Sequence, residues 1–365
     1  MKKTFKYRAK INKQSEANAK QWLDLCRYLY NSCLEQRINS YKTTGKGITA
    51  NQQMVQLPPL KTKQVEYKQV NSQTLQDVVQ RLDKAYKAFF RRVKSGEEEP
   101  GFPRFKGRHR YDSFTLKQTG WTLNSNRLHI KNIGTFKLRL SRPIEGDIKT
   151  VNIRRSVTGK WFVAFSCDNV QDNPLPKTGK KIGIDVGCIS FLTDSNGNKI
   201  DNPRFLKKSQ ELLTKHQQAL ARKKRGSNRR KKARQLVAKT HETIKNQRRD
   251  FHFKTANQLI KNNDVIYIEN MSSWITEYRR LNKSMRDVAW FGFFDILYHK
   301  AEDAGRIIVK VPAKNTSQKC SSCGQIVEKD LSVRIHNCPC GLIIDRDFNA
   351  ALNIIRDGQS LQAAA

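Results

Sequence analysis

The alternation of apolar and polar positions at the start of the chain predicts one strand followed by helices. Residues 4–12 alternate strictly, as a half-buried strand does. Over residues 15–41 the apolar positions recur at intervals of three and four, which predicts a helix with one buried face. A second helical pattern covers residues 72–94, with Ser72 as its expected N-cap, and the Pro pair within residues 57–60 is expected to end the short piece between the helices.

The next part of the chain has the pattern of several short strands. These segments alternate, are rich in β-branched and aromatic residues, and are separated by Gly and Asn-Ser-Asn turns, which predicts a small barrel. The first strand is expected to join this barrel, so the helices would be an insertion into it. The predicted strands cover residues 113–117, 127–131, 135–140, 149–155 and 161–168.

After a linker at residues 174–179, strands alternate with helices, which predicts an α/β domain. The apolar strand patterns are short and are bounded by Gly or by polar residues. The expected strands lie at 182–186, 264–269 and 306–311, and the expected helices at 205–224, 228–262, 290–303 and 345–355.

Composition then narrows the class of protein. The 365 residues contain 70 Lys and Arg against 32 Asp and Glu, so the net charge is +38. Such an excess excludes an ordinary neutral metabolic enzyme and favours a polyanionic partner, either nucleic acid or an anionic membrane surface. The most apolar stretch, residues 288–298, is too short to span a membrane and contains Asp295. The basic start of the chain lacks the apolar core of a signal peptide, so we expect a cytoplasmic protein.

The basic residues are clustered. Residues 222–234 contain nine basic positions out of thirteen, at an expected turn between two helices. Basic residues also surround a loop at 101–107 that carries Phe102 and Phe105, and basic side chains interleaved with aromatic ones suit a nucleic-acid groove. A solvated surface is the alternative for any single run. The candidate contacts are Arg91, Arg92, Arg104, Lys106, Arg108, Arg154, Arg155, Arg225, Arg229 and Arg230.

Three acidic residues stand beside predicted buried elements. Asp185 lies in an apolar strand, Glu269 ends another, and Asp347 begins the last helix. Burying carboxylates together is costly unless cations accompany them. Mg²⁺ prefers such oxygen ligands, and two Mg²⁺ ions about 4 Å apart can hydrolyse a phosphodiester. The alternative is a turn residue, a strand-end residue and a helix N-cap with no shared role.

Four of the eight cysteines form two pairs, each followed by Gly. Cys320 and Cys323 have the two-residue gap of a zinc knuckle, whereas Cys338 and Cys340 are separated by only one residue. We expect these four thiolates to hold a structural Zn²⁺. The narrower gap leaves two alternatives open, a contribution from His336 or a metal-free ribbon.

Five motifs, together with the strand that ends at Glu269, resemble the TnpB (OrfB) family, which insertion-sequence transposons encode and which is related to the type V CRISPR effectors. They lie at residues 75–92, 101–106, 183–187, 314–324 and 345–354. The resemblance implies a multidomain α/β protein. It would combine an RNase H-like RuvC nuclease domain, which contains a zinc-knuckle insertion, with a β-barrel wedge domain that carries an inserted helical recognition module.

The resemblance also implies domain boundaries. A wedge strand at 1–12 would be followed by the recognition module at 13–97 and the rest of the wedge barrel at 98–176. The RuvC domain would cover 177–315 and 343–358, interrupted by the zinc knuckles at 316–342, with a tail at 359–365.

The activity implied is RNA-guided cleavage of double-stranded DNA. A guide RNA from the transposon end would pair with one DNA strand, and the protein would read a short motif adjacent to the target. The catalytic acids, and the ligands of two Mg²⁺ ions, would be Asp185, Glu269 and Asp347. Asp345 is also close, but the family pattern places the acid directly before the Phe-Asn pair. A transposase of the same element is a further expected partner, no membrane is involved, and the DNA-bound protein would lie at the prokaryotic nucleoid.

Smaller groups of residues are candidates for reading the target-adjacent motif and for covering the acid site. Gln76 and Gln80, one helical turn apart, and Ser113 could read base edges in the adjacent motif, or could be ordinary surface residues. Residues 278–285 are expected to form a lid over the site.

The alternative functions are a guide-loaded DNA-binding regulator that does not cut and a structural RNA-binding protein of the ribosomal kind, and neither needs the three acids.

Overall fold

Two units divide the chain, Met1–Gln171 and Asp172–Ala365. The computed structural model describes residues 1–108, 110–270, 282–330 and 332–363. Within these ranges no helix combines the length and the apolar character that crossing a membrane requires.

The first unit consists of one strand, a set of helices and six further strands. In chain order these are β1 (Lys3–Lys10), α1 (Lys13–Thr44), α2 (Ala50–Val55), α3 (Leu57–Lys63), a 3₁₀ turn (Val65–Gln69), α4 (Ser72–Lys94), β2 (Ser113–Leu116), β3 (Trp121–Asn124), β4 (Arg127–Ile130), β5 (Gly134–Arg139), β6 (Asp147–Arg155) and β7 (Trp161–Asp168).

The seven strands form one antiparallel sheet in the order β2-β6-β7-β1-β5-β4-β3. The prediction that the first strand joins the later ones is confirmed, because β1 lies between β7 and β5. The helices α1 to α4 are therefore an insertion between β1 and β2. The sheet is a half-barrel with β2 and β3 at its edges rather than a closed barrel, and β3 was not predicted because its four residues lie between two turn signals.

Side chains from α4 donate hydrogen bonds to backbone carbonyls of the edge strand β2. The Thr74 hydroxyl donates to the Thr115 carbonyl at 2.9 Å, and Arg81 Nη1 donates to the Ser113 carbonyl at 2.8 Å. An edge strand covered in this way needs no further strand partner, which explains why the sheet remains open. Two predicted helix ends are wrong. Asn71 rather than Ser72 caps α4, and the Pro pair starts α3 instead of ending a helix, since Pro is well tolerated in a first turn.

The second unit alternates strands and helices, which confirms the α/β prediction. Its elements are β8 (Lys181–Asp185), β9 (Ser190–Asp194), β10 (Lys199–Asp201), α5 (Phe205–Lys208), α6 (Gln210–Ala221), α7 (Asn228–Asn262), β11 (Val265–Glu269), α8 (Asn282–Val288), α9 (Trp290–Ala304), β12 (Ile307–Val311), β13 (Ile335–Asn337), β14 (Ile343–Asp345) and α10 (Arg346–Ala363).

Five of these strands form a sheet in the order β10-β9-β8-β11-β12, in which β8, β11 and β12 are parallel. Alternate side chains of β11 point to opposite faces. Ile266 and Ile268 pack with apolar residues of α7 and α9, whereas Tyr267 packs with Ile354 of α10. The central strands are therefore covered on both faces, as parallel strands usually are.

Two glycines allow α10 to lie directly against the sheet. A Cβ on Gly183 of β8 would stand 2.5 Å from the Ala351 carbonyl, and one on Gly358 would stand 2.1 Å from the Tyr267 ring. Because neither position carries a side chain, helix and sheet approach more closely than side chains would allow. This close approach brings the start of α10 to the carboxyl ends of the strands.

Candidate active site and metal centre

Asp185 and Glu269 end two neighbouring parallel strands. Ile184 of β8 is in register with Ile268 of β11, so the acids that follow these two residues stand at the same edge of the sheet. In open α/β sheets the carboxyl ends of parallel strands form the usual ligand-binding edge. Glu269 is buried, with 7% of its surface exposed, and Asp185 is half-buried.

Asp347 reaches the same edge from the first turn of α10. Its neighbour Asp345 has a different role, since Asp345 Oδ1 accepts the backbone N–H groups of Asp347 and Phe348 and so caps the helix. The other Asp345 oxygen pairs with Lys199 Nζ at 2.6 Å. These contacts lower the pKa of Asp345 against the opposing effect of partial burial. Asp347, by contrast, lies close enough to Asp185 for its charge to act on that carboxyl group.

The pKa values of Asp185 and Glu269 are both raised. Burial raises the pKa of Asp185 well above its usual range, and the negative charges of Glu269 and Asp347 raise it further. Burial also raises the pKa of Glu269, although the Thr316 hydroxyl and the Arg346 guanidinium oppose that rise. The pattern is that of carboxylates held together with too little positive charge to balance them.

Thr316 and Arg346 were not among the residues predicted for this site. The Thr316 hydroxyl donates to Glu269 Oε1, and Thr316 is 5% exposed. Arg346 acts on Asp185 and Glu269 through its charge, and its guanidinium donates to the Asp330 carbonyl. Both residues lie inside motifs that carried the family resemblance, at 314–324 and 345–354. That position was the signal that could have identified them.

The two cysteine pairs meet in space. Their four sulfur atoms all lie within 4.8 Å of one another, and among the described residues they are the only group of three or more ligating side chains so close together. Cys320 Sγ is 3.7 Å from Cys340 Sγ, and Cys323 Sγ is 3.6 Å from Cys338 Sγ. Bonds of about 2.3 Å to a tetrahedral ion would place sulfurs about 3.8 Å apart. The four thiols could therefore hold a metal ion despite the narrow second pair.

His336 is not one of these four ligands. It lies on β13, is fully buried, and its Nδ1 contacts Lys329 Nζ. Burial opposes ionisation of Cys320, but the backbone N–H groups of Cys323 and Ser322 lower the pKa of its thiol. The thiolate form, which is the form that binds metals, is therefore favoured at this position.

The predicted nucleic-acid contacts differ in how far their side chains are already engaged. Some are exposed: Arg91, Arg104, Arg108, Arg225 and Arg229. Others have partners within the chain. Arg92 donates to the Pro100 and Gly101 carbonyls, and Arg230 donates to the Leu220 and Lys223 carbonyls at and just beyond the end of α6. Arg154 forms an ion pair with Asp112, and Arg155 lies 3.8 Å from Glu16. The Lys106 ammonium lies over the Tyr30 ring.

The structure brings Gln76, Gln80 and Ser113 onto neighbouring elements. Arg81 of α4 donates to both the carbonyl and the hydroxyl of Ser113 on β2. Gln80 accepts a hydrogen bond from Lys117 at 3.3 Å, and Gln76 is exposed on the same helix. The three residues named from sequence thus lie around the contact between α4 and β2.

Phe102 and Phe105 leave much of their surface in solvent. Phe102 packs edge-on against Tyr86 and Phe89 of α4 and is still 46% exposed, while Phe105 is 53% exposed. Exposed rings beside arginines are typical of surfaces on which bases stack. The predicted lid at 278–285 lies mostly outside the described residues.

Three family profiles match the chain. "Probable transposase" matches residues 164–273, "Cas12f1-like, TNB domain" matches 290–354, and "Helix-turn-helix domain" matches 1–46. The last of these ranges forms a strand and one helix, β1 and α1, rather than two helices joined by a turn.

The chain is also similar to several named proteins. It is 31% identical to "Putative RNA-guided DNA endonuclease" of Streptomyces pristinaespiralis over 100% of this chain and 91% of that protein. It is 28% identical to "Putative RNA-guided DNA endonuclease InsQ" of Escherichia coli (strain K12), over 98% of this chain and 93% of that protein. "TnpB-like protein L79" of Acanthamoeba polyphaga mimivirus is 27% identical to this chain, over 62% of this chain and 47% of that protein.

A solved structure shares the fold. It is titled "Cryo-EM structure of the Cas12f1-sgRNA-target DNA complex" and has a TM-score of 0.58. The superposition covers 93% of this chain and 82% of the chain in that structure, and the two sequences are 16% identical.

Proposed function

Because the chain belongs to the TnpB family, which is related to the type V CRISPR effectors, we propose that it is an RNA-guided DNA endonuclease. It would bind a guide RNA from its own transposon end and recognise a motif adjacent to the target. It would then cut guide-matched double-stranded DNA by hydrolysis of phosphodiester bonds in a single RuvC catalytic site. A guide-loaded regulator that does not cut would not need the three carboxyl groups.

The observation that carries this proposal is that Asp185 and Glu269 share one edge of the sheet and that Asp347 is close enough to raise the pKa of Asp185. Two end adjacent parallel strands and the third comes from α10, in the manner of an RNase H-like RuvC centre. Their donors are all oxygen atoms, which suits Mg²⁺. When bound, two Mg²⁺ ions would supply an activated water and a stabilised leaving oxygen. The three residues would hold the ions and orient the scissile phosphate, and Arg346 would limit the repulsion between Asp185 and Glu269.

The four cysteines would hold Zn²⁺ in a structural role. Four thiolate ligands complete a tetrahedral shell, so no position remains for a substrate. The Cas12f1-like profile covers this segment and supports the proposal. Bound metal would tie β13 and β14 to the loop that begins at Cys320.

The exposed arginines and phenylalanines would bind RNA and DNA backbones and stack on unpaired bases. The half-barrel would serve as the wedge domain and the inserted helices as the recognition module, with Gln76, Gln80 and Ser113 reading the adjacent motif. In this arrangement base pairing supplies most of the sequence specificity, and the protein supplies contacts to the backbone.

The test is cleavage by the protein purified with its co-expressed RNA. That RNA is sequenced, and a duplex that matches it is incubated with the complex and Mg²⁺. Asp185→Ala should abolish cutting, because the two remaining carboxylates cannot complete the metal site, while guide-dependent DNA binding should persist. Binding is measured on the same duplex without cleavage, in Ca²⁺.

The matched control is Asp345→Asn. Asn is an equally good helix cap, so this variant should keep α10 in place and continue to cut. Cutting by Asp185→Ala at the rate of the unmodified protein would refute the assigned site. Guide-dependent binding without cutting by the unmodified protein would favour the regulator.

A further inference from the structure

A short loop connects the acid site with the cysteine cluster. It follows β12 and includes Thr316, whose hydroxyl donates to Glu269 Oε1, and it continues to Cys320. Glu269 and Thr316 are both almost wholly buried, at 7% and 5% exposed. In such surroundings a carboxylate depends on the few donors that reach it, and a donor at one oxygen fixes its rotation.

The loop is itself held by two buried asparagines of α10. Asn353 Nδ2 donates to the Thr316 carbonyl at 2.9 Å and to the Lys319 carbonyl at 2.6 Å. Asn349 Nδ2 also donates to the Lys319 carbonyl, at 2.8 Å, and its Oδ1 accepts the Ser321 N–H at 2.9 Å. Both asparagines are fully buried and lie four residues apart, so they share one face of the helix.

This arrangement links two of the three acids. The helix that presents Asp347 also holds the loop whose Thr316 orients Glu269. The Thr316 hydroxyl on Oε1 would hold the Glu269 carboxylate in one orientation towards a divalent cation. A partner that orients a ligand in this way commonly changes metal affinity or activity by about 10–100-fold when it is removed.

We propose that Thr316 is a positioning residue of the acid site, which orients Glu269 for a divalent cation and is held in reach of it by Asn349 and Asn353. The inference rests on the proposed function, because it assumes that these acids bind cations. It differs from a packing role in that the hydroxyl of Thr316, rather than its volume, is what matters.

Mn²⁺ binding separates these roles without requiring cleavage. The full-length protein, free of RNA, is titrated calorimetrically with Mn²⁺, and heat that persists in Asp185→Ala is subtracted as binding elsewhere. Thr316→Val keeps the volume and removes the hydroxyl, and should weaken the remaining affinity by roughly 10-fold or more. Thr316→Ser keeps the hydroxyl and should restore most of that affinity.

The control is Thr240→Val, which removes another buried hydroxyl, one that contacts His216 and the Leu236 carbonyl on other parts of the unit. It should bind Mn²⁺ as the unmodified protein does. Melting temperatures of all variants show whether a loss of affinity comes merely from unfolding, and Thr316→Ser decides the question if Thr316→Val does not fold.

Several results would overturn the inference. These are equal affinity in Thr316→Val and the unmodified protein, no Asp185-dependent binding at all, an equal loss in Thr240→Val, or failure of Thr316→Ser to recover. The proposed function fails in a different way. A protein with Thr316-dependent Mn²⁺ binding that does not cut guide-matched DNA would refute the nuclease proposal and retain this one.

Discussion

At the scale of single residues, neighbours of the same type have different roles in this structure. Asp345 caps a helix while Asp347, two positions later, acts on the buried carboxyl group of Asp185 through its charge. In the basic turn, Arg229 is exposed, whereas Arg230 donates to two carbonyls at the end of α6. Because sequence proximity does not separate these roles, each residue requires its own test.

Arg229→Ala and Arg230→Ala provide such a comparison. Arg229→Ala should weaken RNA binding and leave the melting temperature unchanged, because its side chain is in solvent. Arg230→Ala should lower the free energy of unfolding by about 1 kcal/mol, since it removes the hydrogen bonds from this guanidinium to the Leu220 and Lys223 carbonyls. Filter binding and thermal denaturation measure the two effects. Equal melting temperatures for the two variants would contradict the structural role of Arg230.

At the scale of elements, the acid site depends on how closely α10 lies against the sheet. Gly183 and Gly358 permit that approach, one from the sheet and the other from the helix. The helix then supplies Asp347 and the two asparagines that hold the loop carrying Thr316. A change in helix position would therefore disturb Asp347 directly and Glu269 through Thr316.

Gly183→Ala tests this dependence. The new methyl group would meet the Ala351 carbonyl and the Ile355 amide, and such overpacking costs about 1–3 kcal/mol. We expect a lower melting temperature and slower cutting.

The control is Gly292→Ala. Gly292 lies in α9, and a Cβ there meets nothing within 4 Å, so this variant should gain up to about 1 kcal/mol from helix propensity. Denaturant unfolding compares the two variants. A Gly183→Ala protein as stable as Gly292→Ala would show that α10 is not tightly packed on β8.

At the scale of the whole molecule, the excess of 38 positive charges exceeds what contacts within the chain can neutralise. Several acids are already paired with bases, among them Asp83, Asp112 and Asp264. Like charges that remain repel one another and favour association with a polyanion. Because the chain as a whole is so positive, the three carboxyl groups of the acid site are a small negative group within a basic protein.

This excess predicts a steep dependence of RNA binding on salt. If about 6–10 phosphates are neutralised, affinity should fall roughly 10³–10⁵-fold between 50 and 200 mM salt. Arg229→Ala should reduce the slope of log affinity against log salt by about 0.9, as loss of one duplex phosphate contact does. Fluorescence anisotropy with the co-purified RNA measures both slopes. A nearly flat dependence would show that charge does not drive binding.

The sequence by itself determined the class of partner, the order of elements and the residue types able to do chemistry. Periodicity identified most of the strands and helices, and spacing identified the cysteine pairs, because both patterns are local. Tertiary structure decided what depends on contacts between distant residues. It showed that α4 covers β2 and keeps the sheet open, that Cys338 and Cys340 complete the four-sulfur group despite their narrow gap, and that Thr316 reaches Glu269 across 47 positions of the chain. Packing sets those distances, and no pattern within one segment contains them.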